Sequence, residues 1–467
     1  MPPYLREIRP TLALAVPIVV GQVSQMLMGV TDSVMIGRAG TVPLAASSFG
    51  GNVFGVFYVS GIGLLLPVSI FVSRARGAGR PAECAQYLRH GLALALFFGV
   101  LEALALVVLS TQLDRFGQPP EVLALVTPFF LLIAVSIIPV FGYLVLRQFA
   151  EALGRPWVPM FVMLGGVGLN AALNWVFIYG HLGVPALGLT GAGVSTLVSR
   201  TLGVLVIFAW LRRDPAMRAA WPSFAEASEG APSGGLGAGG GRGHRSLGEG
   251  GWFAPFSRER FRELLRLGLP AAGMLLFESS AFAVSTIMIG WLGAVPLAAH
   301  QIALTCASLA FMFPLGLSMA TGMRVSHAVG AGELARRRPI AFGSLGLGVV
   351  LTGGFGLVFF FGGGPIAAWF VHDAAVIALA AQLLVVAALF QLFDGAQVIG
   401  AASLRGITDV KVPALITFAA YWVVALPLGY FLGVRSGLGA VGIWTGIATG
   451  LACAAVFLAA RFAKLTR

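Results

Sequence analysis

Four acidic residues of this 467-residue chain lie inside long apolar runs, where a charge is costly. They are Asp32, Glu102, Glu278 and Asp394. An ionised carboxylate at the centre of a bilayer costs about 2.5 kcal/mol or more on insertion scales, so such residues usually face a bundle interior or a water-filled cavity. A carboxylate withdrawn from water can exchange a proton, a metal ion or a cationic compound. This chemistry suits the coupling of one cation's movement to that of another.

A second polar patch surrounds Asp394 in the segment QLFDGAQ. Gln391 and Gln397 lie three residues away on either side, and residues three apart share one face of a helix. Together with Glu278, Asp394 could form an oxygen cage for Na⁺, a hard ion that prefers oxygen ligands. The two acids could instead share one proton, because like charges repel. The sequence leaves both alternatives open.

The composition places these residues in a membrane protein. The chain is 58% apolar and only 10% charged, with a mean hydropathy of +0.91, which leaves too little polar surface for a soluble particle. Strands that span lipid would show alternating segments of about ten residues, so we predict an all-α membrane protein with twelve transmembrane helices. The twelve apolar runs cover residues 10–36, 44–72, 86–111, 122–146, 158–180, 190–211, 263–290, 297–323, 340–364, 375–403, 412–432 and 439–463.

The net charge of +12 is a signal of membrane topology. Almost all of the 30 Lys and Arg residues fall in the amino-terminal segment and in every second loop. The opposite loops hold only Arg38, Arg115 and Arg435. We therefore expect the basic side, with both termini, in the cytoplasm at the inner membrane, next to anionic lipid head groups. No nucleic-acid partner is expected.

A flexible linker is predicted at residues 212–260, where Gly, Ser and Ala replace the aliphatic residues. It separates two six-helix lobes, residues 1–211 and 261–467. Its glycine cluster, GAGGGRG, lacks the GxxxxGKS or GxxxxGKT pattern of a phosphate-binding loop. Without a nucleotide-binding module, an ion gradient remains as the energy source, and no cofactor is expected. The histidines and cysteines show no metal or catalytic spacing, which argues against an enzyme.

The two halves of the chain repeat one another. MIGRAGTVPLAA at 35–46 returns as MIGWLGAVPLAA at 288–299, and the same offset pairs Pro17 with Pro270. Because six helices separate equivalent positions, both copies cross the membrane in the same direction. We therefore expect two lobes that face each other across a cleft and expose it alternately to the two sides.

The repeat also relates the acids of the two lobes. Asp32 follows Gln25 by seven residues, which places both on nearly one face of the first helix. In the seventh helix Glu278 corresponds to Gln25, and Ser285 corresponds to Asp32. Seven residues rise about 10 Å along a helix, so we expect Glu278 nearer the membrane middle than Asp32. A structural hydrogen bond to a neighbouring helix is the alternative role for both acids.

Several of these motifs resemble the multidrug and toxic compound extrusion (MATE) family over essentially the whole chain. They are GVTDSVMIGRAGTVPLAA, its echo in the seventh helix, SRARGAGR and SHAVGAGE. The combination of Asp32, Glu278 and Asp394 resembles the NorM-type branch. This resemblance implies export of organic, mostly cationic and amphipathic compounds in exchange for inward Na⁺ or H⁺. We expect the protein to act as a monomer. The resemblance also implies a cation site at Glu278 and Asp394.

The resemblance implies a further polar site in the amino-terminal lobe. Asn170 and Asn174 stand four apart on the fifth helix, and many relatives carry an aspartate at the second position. Because Asn174 does not titrate, a cation site here depends on Asp32 for charge, with Thr196 as an added neutral ligand.

Three aromatic residues and one proline complete the candidates. Phe282 and Phe311 could face a cation through their rings, with core packing as the alternative. Tyr143 is grouped with them as a lining residue of the substrate cavity. Pro17 matches the family's proline in the first helix. It is a candidate hinge coupled to Asp32, because proline removes a backbone hydrogen bond.

Two charges and two rival functions remain. Glu102 has no assigned role, and we expect Arg200 in a structural ion pair. A lipid-linked oligosaccharide flippase of the related superfamily would favour a strongly cationic cavity, whereas the charges placed in the membrane here are mainly acidic. A pore is the other alternative.

Overall fold

The computed structural model describes residues 2–217, 220–221 and 255–467, and these residues contain no β-strand. Twelve helices in the described part are long and apolar enough to cross a membrane, which confirms the all-α, twelve-helix prediction. They are α1 (Pro3–Ala39), α2 (Thr41–Gly77), α3 (Pro81–Ser110), α4 (Pro120–Ala152), α5 (Trp157–Tyr179), α6 (Gly188–Arg213), α7 (Arg258–Gly290), α8 (Ala294–Gly330), α9 (Leu334–Ala368), α10 (Ala374–Gly406), α11 (Lys411–Arg435) and α12 (Gly439–Leu465).

Most helices are longer than the apolar runs from which they were predicted, because the polar residues that flank each run are helical as well. Proline occupies the first turn of α1, α3 and the first part of α4, where its missing N–H has no helical partner to lose. Gly40 ends α1 with a φ of 145°, and Gly293 precedes α8 with a φ of 115°. These conformations favour glycine, and the repeat pairs the two residues.

The ends of α6 and α7 revise the borders of the predicted linker. α6 continues to Arg213 and α7 begins at Arg258, so the first two and last three residues of the 212–260 segment are helical. Ser257 caps α7 by accepting a hydrogen bond from the backbone N–H of Arg260. Residues 218–219 and 222–254 lie outside the described residues, and the linker itself stays a prediction.

Three helices are interrupted within the membrane. α2 breaks before Pro67, α4 breaks at Ser136, and α11 contains wide π-helical turns at Ala419–Ala425 and Phe431–Arg435. Such turns shift the direction of the side chains that follow and often accompany functional sites. One of them carries Tyr421, which is fully buried.

The two lobes meet mainly through α1 against α8, and α2 against α7 and α8. Glycine permits the closest approaches. A Cβ atom on Gly77 would lie 2.1 Å from the backbone oxygen of His327, and one on Gly330 would lie 2.0 Å from that of Arg74. The repeat pairs these two glycines, so the contact is the same on both sides of a pseudo-twofold axis. Any larger residue here would push the lobes apart.

An ion-pair cluster joins the lobes at the end of the bundle that carries both termini. Glu7 of α1 binds Arg336 of α9 at 2.9 Å and also binds Arg324 of α8. Arg336 pairs in turn with Glu333 at 2.5 Å. We call Glu7, Arg324, Glu333 and Arg336 the α1 cluster.

A second cluster joins α7 to α3 in the same region. Arg260 lies 3.4 Å from Glu83, which also binds Arg80 at 2.7 Å. We call these three residues the α7 cluster. Each of its members occupies the repeat position of an oppositely charged member of the α1 cluster: Arg260 with Glu7, Glu83 with Arg336, and Arg80 with Glu333.

Candidate functional sites in the two lobes

The site of the carboxy-terminal lobe is built around Asp394 of α10. Its side chain is buried, with 4% of the residue exposed, and its Oδ1 atom has no hydrogen-bond partner among the described residues. Glu278 of α7 is half-buried, and the two carboxylates are close enough to repel each other. The structure therefore brings together the two acids that the sequence predicted as a pair.

Further buried oxygen atoms accompany Asp394. Gln391 donates its amide nitrogen to the carbonyl of Ala307 at 2.9 Å, which leaves its Oε1 atom without a partner in the described part of the chain. Gln397 lies against the Glu278 carboxylate, and its Oε1 atom is likewise unpartnered there. Buried acceptors normally find a partner, so this group of oxygen atoms suits a cation or ordered water.

Tyr421 of α11 is a member of this site that the sequence analysis missed. Its ring is fully buried, its hydroxyl has no hydrogen-bond partner among the described residues, and it lies within electrostatic range of Glu278 and Asp394. The only sequence signal was a tyrosine in the middle of an apolar run. It lies within the π-helical turn Ala419–Ala425 of α11.

Arg405, near the end of α10, supplies a positive charge to the same site. It is buried and close enough to Glu278 to attract its carboxylate. The sequence analysis counted this residue with the loop charges. A fixed guanidinium offsets part of the negative charge of the two acids, so the site does not hold two unbalanced carboxylates.

The other predicted residues of α7 differ in their contacts. The ring of Phe282 lies 6.0 Å from that of Phe390 and 6.3 Å from that of Tyr421, so it forms a wall of the site. Ser285 is fully buried and donates its hydroxyl to the carbonyl of Ala281 at 2.9 Å within its own helix. Its hydrogen is therefore used inside α7.

In the amino-terminal lobe, Asp32 meets the two asparagines of α5. The amide nitrogen of Asn174 donates to Asp32 Oδ1 at 2.6 Å and to Asn170 Oδ1 at 3.3 Å. One amide nitrogen carries two hydrogens, so both bonds form together. Both asparagines are fully buried. The structure thus brings Asp32, Asn170 and Asn174 into one polar site.

Arg200 of α6 lies beside this site. Its Nη1 atom donates to Ser136 Oγ at 2.7 Å, and its guanidinium carbon is 5.1 Å from the centre of the Phe54 ring. Asp32 is within electrostatic range. The expected structural ion pair is therefore not formed with any described residue: Asp32 is near Arg200, but the direct hydrogen bond of Arg200 goes to the serine at the break in α4.

A cavity of about 80 Å³ adjoins Arg200, and we call it the amino-lobe cavity. Its polar lining consists of Gln25, Tyr58, Tyr143, Arg147, Ser199 and Arg200. Gln25 donates to the hydroxyl of Tyr58, Tyr143 donates to the carbonyl of Pro159 at 2.9 Å, and Arg147 donates to Glu151 at 2.7 Å. The intramembrane charges are thus less acidic than the sequence indicated.

Four more residues of the sequence analysis lie as follows. Thr196 is buried on α6, one turn before Arg200, and Phe311 is half-buried against the larger hydrophobic core. Pro17 is buried inside α1, which is helical on both sides of it. Glu102 is buried on α3, where its Oε1 atom lies 2.8 Å from Ser60 Oγ. It belongs to neither polar site.

Twelve membrane helices in two repeated lobes, with buried acids in each lobe, define a membrane transporter rather than an enzyme. The chain belongs to the MatE family. The family model matches residues 17–176 and 270–431, once in each lobe. The two matches begin at Pro17 and Pro270, the prolines that the internal repeat pairs.

Relatives with known names support this assignment. The chain is 35% identical to the multidrug resistance protein NorM of Burkholderia vietnamiensis over 468 residues, which cover 99% of this chain and 95% of the relative. It is 34% identical to the multidrug resistance protein MdtK of Yersinia pseudotuberculosis over 477 residues, covering 100% and 97%. A solved transporter of the MOP superfamily from Pyrococcus furiosus has a TM-score of 0.84 at 21% identity, covering 98% and 95%. This structure shows the common fold, and the resemblance stated from sequence is confirmed.

Proposed function

We propose that the protein is a secondary antiporter that exports amphipathic organic cations in exchange for inward Na⁺ or H⁺. The observation that carries the proposal is the group of buried, unpartnered oxygen atoms around Asp394 and Glu278. A monovalent cation at these oxygens would relieve the repulsion between the two carboxylates, and so would a proton on one of them.

Exchange follows from competition for the same negative charge. With the ion bound, its charge and that of Arg405 together balance Glu278 and Asp394, which then attract an organic cation less strongly. With the ion released, their charge is available again, while Arg405 keeps the empty site from holding two unbalanced acids. Binding of the coupling ion therefore lowers the affinity of the site for the organic cation, and binding of the organic cation lowers its affinity for the ion. This mutual effect on affinity is the thermodynamic requirement for coupling.

The ends of the lobes supply the conformational step. We assign the end with both termini to the cytoplasm of the inner membrane, because the basic residues concentrate there. The α1 and α7 clusters join the lobes at this end, which supports a state closed towards the cytoplasm. Transport by a single chain then requires both clusters to separate so that the cleft faces inward.

The test is dye transport in proteoliposomes that contain the purified protein and a fluorescent organic cation, rhodamine 123. Sodium and proton gradients are imposed separately. We expect a gradient to drive dye movement by wild-type protein, and Glu278→Gln and Asp394→Asn to abolish most of this coupling. Asp32→Asn reports on the amino-terminal site. Glu102→Gln is the matched control, because it removes a buried acid that lies in neither site. Equal, gradient-independent leakage in all these proteins would show that the chain is no antiporter.

A further inference from the structure

We propose that an exposed groove between α7 and α11 binds an anionic phospholipid, with its phosphate against the basic residues of the groove and its chains on the apolar ones. The basic residues are Arg258, Arg262 and Arg266 of α7 and Lys411 of α11, and all four are exposed. We call this the α7–α11 groove, and its volume is about 710 Å³. A phospholipid site here is separate from both polar sites and goes beyond the proposed exchange of cations.

The four positive charges of the groove have no acidic partner in the described part of the chain. No carboxylate occurs among the described residues that line the groove, and none of the four cations forms an ion pair with them. The nearby Glu263 is paired with Arg260 at 3.2 Å. Asp409 is paired with Arg461 at 2.5 Å, and Glu259 lies outside the lining. The groove therefore attracts a negatively charged ligand, and basic pockets between membrane helices bind acidic head groups.

Both helices begin at this groove. Arg258 is the first residue of α7, and Lys411 is the first residue of α11. The amino-terminal end of a helix carries partial positive charge, so a cation in the first turn is unfavourable unless an anion lies close. A phosphate group removes this conflict, because it is attracted both by the cations and by the N–H groups at the helix ends.

The order of residues along both helices matches the order of groups in a phospholipid. Phe261, Leu265 and Leu269 line the groove at intervals of four residues, about one helical turn apart. Leu269 is 59% exposed and follows the last arginine of the groove by three residues. On α11, the exposed Leu415 follows Lys411 by four residues. Each row of cations is thus followed by apolar side chains that suit an acyl chain, and a soluble phosphate would not contact them.

Further along, the two helices are in direct contact. The ring of Phe277 lies 5.1 Å from that of Phe418, and Trp422 donates its indole N–H to the carbonyl of Phe277 at 3.3 Å. Glu278 follows Phe277 in α7, and Tyr421 precedes Trp422 in α11. A lipid in the groove therefore braces the helix pair that carries two residues of the carboxy-terminal site.

The other lobe supplies an internal comparison. Its corresponding helices, α1 and α5, hold one basic residue at the equivalent positions, and this is Arg9, the counterpart of Arg262. Leu5 and Ala13 stand in place of the other two arginines, and α5 begins with Trp157. A general excess of basic residues on one side of the membrane would affect both lobes alike. The charge of the α7–α11 groove is therefore a local feature of the carboxy-terminal lobe.

The test measures lipid binding to the purified full-length protein in a neutral detergent. Native mass spectrometry resolves each bound lipid as an added mass, and the probes are dioleoyl phosphatidylglycerol and dioleoyl phosphatidylcholine, which differ in the net charge of the head group. We expect wild-type protein to bind the first molecule of phosphatidylglycerol more tightly. Arg262→Gln combined with Arg266→Gln should weaken this binding by about 25-fold, about fivefold for each charge removed, and leave phosphatidylcholine unchanged.

Three further variants make the result specific. Arg9→Gln is the matched control, because it removes an exposed arginine from the equivalent position of α1, and it should not change lipid binding. Lysine at both 262 and 266 keeps the charges and should retain most of the preference for phosphatidylglycerol. Leu269→Ser removes an apolar contact with the chains and should weaken phosphatidylglycerol binding by several-fold. The melting temperature of each variant without added lipid shows that it is folded.

Three results would overturn the proposal. Equal affinities of wild-type protein for the two lipids would show that the groove does not select charge. An equal loss of affinity in Arg9→Gln and in Arg262→Gln alone would make the attraction a property of the whole basic side. Displacement of the lipid by glycerol 1-phosphate, at concentrations no higher than those of the lipid, would identify a site for soluble phosphates. None of these measurements depends on transport, so the antiport function is tested separately by dye movement.

Discussion

Glu7 is the best single point at which to test how the lobes are held together. It is 8% exposed, although it lies near the start of α1, and it binds Arg324 and Arg336 of the opposite lobe. Glu7→Gln keeps the shape of the side chain and removes its charge. Arg324 retains its bonds to the backbone oxygen of Glu7 and to Thr11, so the change isolates the ionic part of the contact.

The expected effect follows from the burial of each pair. Side-chain exposures of 12% for Arg324 and 11% for Glu7 make this ion pair largely buried, whereas Arg336 is 46% exposed and contributes at most about 1 kcal/mol. Breaking a fully buried pair costs about 3–5 kcal/mol. We discount this for the bonds that Arg324 keeps, and expect a total loss of about 2–3 kcal/mol from the closed state. That shifts the equilibrium between closed and open lobes by about 30- to 150-fold.

The assay is a spin-label distance measurement between the lobes. Ala82 and Ala335 are exposed, occupy equivalent repeat positions in opposite lobes, and can each be replaced by cysteine after removal of the three native cysteines. Glu7→Gln should add a longer-distance population. Glu333→Gln is the control, since its pair with Arg336 is exposed on both sides and should have little effect. Indistinguishable distances in the two variants would refute the role given to Glu7.

Three other predictions concern the contacts and sites of the two lobes. Gly77→Ala should lower the melting temperature of the purified protein, because its Cβ would lie 2.1 Å from a carbonyl of the opposite lobe, whereas Gly51→Ala has open space and should be neutral or slightly stabilising. Tyr421→Phe should raise the Na⁺ or H⁺ concentration needed for half-maximal dye export, and Tyr430→Phe, on the exposed part of the same helix, should not. If Na⁺ is the coupling ion, its stabilisation of the protein against heat should fade as pH decreases, because a carboxylate must lose its proton to bind a metal, and Asp394→Asn should lack this stabilisation at any pH.

The fold was predictable because its signals are local and repeated. Each apolar run specifies a helix, and the shared offset between the halves specifies two lobes. Asp32 and Asn174 were predicted for one site and do form a hydrogen bond. Residue type was enough there, because a buried acid in a membrane must find polar partners.

The remaining site residues depend on features that residue type does not report. Tyr421 lies in a π-helical turn, which changes the direction of side chains along a helix, and Arg405 lies close to Glu278 although the two residues belong to helices that are far apart in the sequence. Arg147 was missed for a different reason. It follows its apolar run directly and looks like a loop charge, yet it is 4% exposed and lines the amino-lobe cavity. Burial at a helix end is set by the neighbouring helices and cannot be read from one run.

At the paired repeat positions of the two ion-pair clusters, the sign of the charge is reversed between the lobes. The comparison uses the three residues of the α7 cluster and their three repeat counterparts. In the amino-terminal lobe, Glu7, Arg80 and Glu83 give one excess negative charge. In the carboxy-terminal lobe, Arg260, Glu333 and Arg336 give one excess positive charge. Had both lobes kept the same signs, each contact could still form an ion pair, but these six residues would give both lobes the same net charge. With the signs reversed, the six residues give the lobes opposite net charges, which attract at the closed end, and Arg324 adds a further positive charge on the carboxy-terminal side. Because the pairs are partly exposed, this attraction is modest and can be broken during each transport cycle.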